Sequence, residues 1–288
     1  MDLFSLKSDD ITNLGAEGAV IFFRELIWAE ASRVKIGRQL ISVPDCVNVG
    51  DGGLDALVEN AKPLFDDVIP QGTSGFQIKS SDLGPSECKQ ELHIKKDINE
   101  PLKPGIKRIL DNDGTYIVVL FAELADPQIL RRLNAILEDL NNNGYSNPKI
   151  RLYTASKIIG FTERFLAFLA KIKPQLLECI PFQIWGEDVN LSTPETFIED
   201  ENRTKIINEI RERLRNRNDV AVSIRITGLS GVGKKRLVYE ALSPHDLKNA
   251  VILVISEAFK NSRLFNYILT DHNLNVIIVI DLNESVCY

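Results

Sequence analysis

Apolar positions along residues 16–33 recur at helical spacing: Val20, Phe23 and Ile27 share one row, and Ile21, Phe22, Leu26 and Trp28 widen it. That pattern predicts a mostly buried helix, with Gly37 as its stop. Short β-rich pieces follow, Leu40–Val43 and Leu54–Val58, separated by Asn48-Val49-Gly50-Asp51-Gly52-Gly53, whose glycines permit a tight turn. A further strand is expected over Gly75–Lys79. Thr115–Ala122 is a continuous β-branched run suited to a strand buried on both faces. Helical spacing over Pro127–Leu140 comes next, then a strand over Lys149–Thr154 and a helix over Phe161–Ile172. Alternating strands and helices predict an α/β layer up to about residue 190.

The segment Leu191–Asp200, containing Pro194, reads as a linker into a polar helix at Arg203–Arg217. The expected organisation is a first domain at 1–190, a linker and polar helix at 191–219, and a second domain at 220–288. In the second domain the pattern runs strand (Val220–Ile226), glycine loop (Gly228–Gly233), helix (Lys234–Leu242), strand (Val251–Ile255), helix, and strand (Val276–Asp281). Apolar stretches fall short of the roughly 20 residues of a membrane span, and the N-terminus lacks a secretory signal. A cytoplasmic protein with no membrane partner is therefore expected. A composition of 44% hydrophobic and 26% charged residues is ordinary for a folded domain and argues against disorder. The net charge of -6 gives no global case for nucleic-acid binding, so any such surface must be local. Cys46, Cys88, Cys179 and Cys287 form no C-x-x-C pair, which argues against a zinc site or a disulfide framework.

Gly228-Leu229-Ser230-Gly231-Val232-Gly233-Lys234-Lys235 fits G-x-x-x-x-G-K between a predicted strand and a predicted helix. Small residues there, with Gly228, Ser230, Gly231 and Gly233 among them, let backbone N–H groups turn toward a phosphate chain. The helix N-terminus adds partial positive charge and Lys234 reaches the outer phosphates. Asp281, ending the apolar run from Val276, is placed to hold magnesium. Lys235 stands where a magnesium-ligating hydroxyl is usual, which should impair hydrolysis more than phosphate contact. Residues 220–288 resemble the start of a STAND-type P-loop NTPase, which implies ATP as the ligand. That family sets a later strand between the P-loop strand and the Walker-B strand. Residues 220–288 do not include it, so Val220–Ile226 is expected to lack its usual neighbour.

Asp55 follows the glycine turn at the start of one predicted strand, and Gln77-Ile78-Lys79 ends the next. Strand periodicity puts Gln77 and Lys79 on one face, able to converge on Asp55 across a hairpin. Metal-assisted phosphodiester cleavage needs a hard oxygen ligand for magnesium, a second ligand, and a cation that offsets charge on the phosphate. The pattern G-D-G-G-L-D followed by F-Q-I-K resembles the PD-(D/E)XK nuclease superfamily, in particular its Mrr-like restriction endonuclease branch, over residues 15–160. The resemblance implies a restriction-endonuclease-like mixed sheet flanked by helices. It also implies Asp55 as principal metal ligand, Gln77 in the second acidic slot, the Ile78 carbonyl as a further ligand, and Lys79 as the catalytic lysine. An acid from the first helix commonly completes such sites. Glu25 and Glu30 lie about 140° apart around that helix and cannot both face inward. Glu30 is the choice, because it continues the Phe23–Leu26–Ile27 row.

Lys95, Lys96, Lys103, Lys107 and Arg108 follow the expected active-site strand and are suited to the phosphates of a duplex. The sequence thus predicts an α/β chain in which a magnesium-dependent DNA endonuclease is joined to a partial P-loop NTPase domain. This layout resembles bacterial antiphage defence proteins, which implies double-stranded DNA as substrate, a homo-oligomer and a phage-derived activator. The alternative, favoured by Gln77 and Lys235, is a catalytically inactive nucleotide-binding regulatory or assembly module.

Overall fold

Thr115–Leu120 is buried along its whole length and forms the inner strand of a five-stranded mixed sheet, as a continuous apolar run requires. The computed structural model describes residues 4–43, 52–174, 179–192, 197, 200–216, 221–255, 259–271 and 273–281. The chain divides into two compact units, Phe4–Glu163 and Arg164–Tyr288.

In the first unit, helices α1 (Ser8–Thr12) and α2 (Gly15–Arg33) precede strands β1 (Ile41–Ser42), β2 (Ala56–Ala61) and β3 (Gly72–Lys79). Helices α3 (Pro85–Leu92) and α4 (Pro104–Asp111) lead to β4 (Thr115–Leu120), followed by α5 (Asp126–Asn142), β5 (Lys149–Tyr153) and α6 (Ala155–Thr162). The strand order is β1-β2-β3-β4-β5; β1, β2 and β3 are antiparallel neighbours, while β4 runs parallel to β3 and β5 parallel to β4. Strand alternation sends Phe76 to one face, where Phe23 of α2 meets it with ring centres 5.8 Å apart. Gln77 and Lys79 point to the other face. There Leu92 of α3, Ile106 and Ile109 of α4, and Ile136 and Leu140 of α5 pack with Tyr116 and Val118. Helices α3 and α4 each begin on a proline, which costs nothing in the first turn because that N–H has no helical acceptor. At eight residues each, they are too short for apolar spacing to announce them.

The helix expected over Phe161–Ile172 is two helices, α6 and α7 (Leu166–Ile172). Between them the Thr162 hydroxyl donates to the Ile159 carbonyl at 2.7 Å, and the Arg164 carbonyl accepts from the Asn275 amide at 2.7 Å instead of continuing the helix.

The second unit continues with β6 (Ile180–Pro181), α8 (Phe182–Ser192), α9 (Glu201–Arg215), α10 (Lys234–Leu242), α11 (His245–Lys248), β7 (Val251–Ile255), α12 (Arg263–Thr270) and β8 (Ile277–Asp281). Its three-stranded sheet has the order β6-β7-β8, with β7 and β8 parallel. Phe182, Trp185 and Val189 pack with Leu242, Val251 and Leu253. Residues 164–192 therefore belong to this unit, and the division at 163–164 does not coincide with the boundary expected at 190–191. Of the expected linker, residues 193–196 and 198–199 lie outside the described residues. The polar helix α9 starts where the Asp200 carboxylate accepts from the Arg203 amide at 2.8 Å.

The strand expected over Val220–Ile226 does not form at 221–226, and Val220 lies outside the described residues. Ile224 and Ile226 instead pack toward Ile207, Ile210 and Ala241 of α9 and α10. A strand needs a hydrogen-bonded neighbour, and among the described residues no strand pairs with this segment. Among the described residues no helix is long and apolar enough to cross a membrane.

Candidate active site at the end of strand β3

Asp55 sits one residue before β2, and the Ala56–Phe76 register sets it opposite Gln77. Its amide donates to the Phe76 carbonyl at 2.7 Å, and its Oδ2 accepts from the Ile78 amide at 2.7 Å. Arg24 of α2 fixes it from the other side: Nε donates to the Asp55 carbonyl at 3.0 Å, and Nη2 lies 3.9 Å from Oδ1. Because the N–H and C=O of one strand residue point to the same edge, the Ile78 carbonyl faces the edge on which Asp55 stands. The turn before Asp55 lies close against the chain leading into α4. The Gly52 carbonyl accepts from the Gly105 amide at 2.9 Å, and a Cβ on Gly105 would come within 2.8 Å of that carbonyl oxygen. Glycine at 105 is what permits this approach.

Gln77 and Lys79 both reach Glu91 of α3, which is buried. Gln77 Nε2 donates to Glu91 Oε2 at 3.0 Å, and Lys79 Nζ is 3.0 Å from the same oxygen. Lys103 Nζ lies 3.1 Å from Oε2 and Lys96 Nζ 2.6 Å from Oε1. Gln77 Oε1 in turn accepts a short hydrogen bond from the Tyr116 hydroxyl. Burial, and then the charge of Glu91, push the Tyr116 phenol well above its ordinary value, so it stays neutral and donates. Lys79 keeps 27% of its side chain exposed while anchored on a carboxylate only 5% exposed. Arg24 thus faces Asp55, and three cations, Lys79, Lys96 and Lys103, share the single Glu91 carboxylate.

Of the residues expected at the site, Asp55 meets the Ile78 amide, Gln77 and Lys79 gather on Glu91, and Glu30 is held by Arg33. That carboxylate is buried and chelated by Arg33, with both N–O distances 2.7 Å. Helix α2 lies on the Phe76 face, away from Gln77 and Lys79, and the α2 side chain that reaches Asp55 is Arg24. Gln77 is buried with both ends of its amide spent on Tyr116 and Glu91. Among the described residues no three or more His, Cys, Asp or Glu side chains gather to hold a metal. What remains is one carboxylate, Asp55, and one strand-edge carbonyl, Ile78. Magnesium keeps several waters and can be held through one or two carboxylates plus substrate phosphates, so these two oxygens are the ones in this region chemically suited to it, although Asp55 Oδ2 is already engaged by the Ile78 amide. Burial pushes the thiols of Cys88 and Cys179 up to about 11 and about 12, so neither is a thiolate nucleophile at neutral pH.

Glu91 is the residue that sequence reasoning misses. The available signal is its place beside Cys88 and Leu92 on the inward face of a helix opened by Pro85. Burial alone would raise its carboxyl, but hydrogen bonds from Lys96 and Lys79 and the charge of Lys103 outweigh burial and hold it at about 2. A carboxyl lowered from 4.5 to about 2 contributes stability that is complete above pH 4.5 and is lost as pH falls toward 2. The contribution is on the order of 3 kcal/mol. The melting temperature of the protein is therefore expected to fall between pH 5 and pH 2.5, and less steeply for Glu91→Gln. Parallel pH profiles for the two proteins would refute this origin.

In the second unit, Gly231 and Gly233 take left-handed backbone (φ 81° and 82°) ahead of α10, where a side chain would be strained. Ser230 lies on the exposed loop between them and Gly228. Lys234 Nζ donates to the Gly228 and Leu229 carbonyls at 2.7 and 2.8 Å. Lys235 Nζ meets Asp281 Oδ2, at the end of β8, at 2.6 Å. The ammonium therefore occupies the carboxylate expected to hold magnesium, and no hydroxyl stands at position 235 to help displace it. These residues do not fit a magnesium site. No protein family, curated protein or solved structure matches this chain.

Proposed function

We propose that the first unit is a DNA endonuclease that hydrolyses phosphodiester bonds with magnesium, and that the glycine loop of the second unit binds ATP and controls it. The observation that carries the nuclease reading is that the Asp55 carboxylate accepts from the Ile78 amide at one end of β3, while the next residue, Lys79, carries its ammonium to the buried Glu91 carboxylate. The antiparallel β1-β2-β3 followed by parallel β4, with α2 on one face, is the arrangement expected of a restriction-endonuclease-like sheet and supports the same reading.

Asp55 and the Ile78 carbonyl would hold the magnesium ion, which when bound supplies a more acidic water and neutralises phosphate charge. The chain's own residues do the rest. Arg24 and the Ile78 amide fix the Asp55 carboxylate. Lys79, partly exposed beside Glu91, would offset the negative charge that grows on the phosphate oxygens. Lys96 and Lys103 share the one Glu91 carboxylate with Lys79 and would add positive charge for the backbone of a duplex, whereas Lys95 and Arg108 each have an acid of their own, Glu100 and Glu59. Control by a phage-derived activator and assembly into a homo-oligomer belong to this reading through the resemblance alone.

The test is conversion of supercoiled plasmid to nicked and linear forms. Wild type with magnesium is expected to cut, and wild type in chelator or Asp55→Ala with magnesium is not. Equal cutting in all three would refute the proposal. A second reading, a non-catalytic nucleotide-binding module, is favoured by the buried Gln77 amide in place of an acid. It predicts no cutting under any condition.

A further inference from the structure

We infer that Glu91 is a positioning residue for the proposed cleavage, holding the Lys79 ammonium in place at a cost in affinity for DNA. This role rests on the nuclease reading. Three lysines from three separate segments, Lys79 at the end of β3, Lys96 in the turn after α3, and Lys103 just before α4, end within 3.1 Å of one buried carboxylate. Lys95 and Lys96 hold left-handed backbone (φ 54° and 57°), uncommon for residues with a Cβ, in the turn that directs Lys96 to Oε1. Gln77 donates to Oε2, the oxygen that Lys79 and Lys103 also meet, and is itself fixed by the Tyr116 hydroxyl that it accepts from. The carboxylate is therefore held by the β3 and β4 side chains beneath it, and the lysines are held by the carboxylate.

A lysine ammonium on a free four-carbon stem samples many positions, and a misplacement of about 1 Å in a catalytic group costs about 100-fold in rate. Glu91 removes that freedom for Lys79. Its negative charge simultaneously opposes the phosphates that Lys96 and Lys103 attract. The two effects of Glu91 on the reaction therefore have opposite signs, a signature that simple support of the fold does not give.

The experiment measures single-turnover cleavage at saturating duplex and, separately, equilibrium binding of the same duplex in calcium or chelator. For Glu91→Gln the rate is expected to fall at least about 10-fold, with duplex affinity equal to or tighter than wild type. An unchanged rate, or rate and affinity falling together, would overturn the role. Circular dichroism reports whether Glu91→Gln is folded. Should it not be, Glu91→Asp decides in the same measurement: it keeps the charge and shortens the arm, so a slower rate at wild-type affinity supports the role and any other pattern overturns it. Wild type that binds duplex with magnesium and never cuts overturns the nuclease reading itself, a result distinct from a Glu91→Gln protein that cuts like wild type.

Discussion

Lys79→Ala is expected to lower single-turnover DNA cleavage by at least about 100-fold, the usual effect of removing a preorganised group that meets developing negative charge. Duplex affinity should change by less than about threefold, because Lys96 and Lys103 remain at the rim and each phosphate contact contributes a modest share of a salt-dependent total. Lys79→Arg separates charge from placement. The guanidinium is planar, larger and forked, and cannot take the single point 3.0 Å from Glu91 Oε2 that the ammonium occupies. Affinity should therefore return to wild type with the rate still reduced at least about 10-fold. Cleavage by Lys79→Ala within about threefold of wild type would remove Lys79 from the chemistry.

The parts of this fold that read directly from sequence are those decided by local pattern. Thr115–Leu120 is buried throughout because every position in it is compatible with a two-sided core, and Gly15–Arg33 is helical because its apolar rows match the helical repeat. Asp55 meets the Ile78 amide, and Gln77 and Lys79 share one face, for equally local reasons, a glycine turn and strand alternation. Glu91 does not read out that way. In Pro85–Leu92 it looks like one more surface charge, and its burial is settled by Lys79, Lys96, Lys103 and Gln77, which arrive from elsewhere in the chain. Glu30 shows the converse. Its row does face inward, and it is buried, but Arg33 three residues on takes both oxygens, a neighbour relation the helical repeat already contains. At 221–226 the β-rich composition is sound and the strand still fails, since composition supplies propensity and only a neighbouring strand supplies the ladder.

At the glycine loop, Lys234→Ala is expected to weaken ATP binding by about 100-fold, the upper range for a hydrogen bond to a charged group. Lys234 is the cation that the loop encloses, and its contacts with the Gly228 and Leu229 carbonyls are to exposed acceptors that water replaces readily when the ammonium turns to a phosphate. Position 235 decides the role of the metal. With Lys235 on Asp281, a divalent ion must displace an ammonium already 2.6 Å from the carboxylate, and it gains no hydroxyl ligand in return. Wild-type affinity for ATP in magnesium and in chelator should therefore agree to within about threefold. Lys235→Thr frees Asp281 and supplies a hydroxyl, so magnesium should then tighten binding at least about 10-fold. Calorimetric titration of the three proteins with ATP, each with magnesium and with chelator, checks both expectations. Wild-type binding by Lys234→Ala would remove the loop from nucleotide contact, and strong magnesium dependence in wild type would show that the Lys235–Asp281 pair yields to the metal.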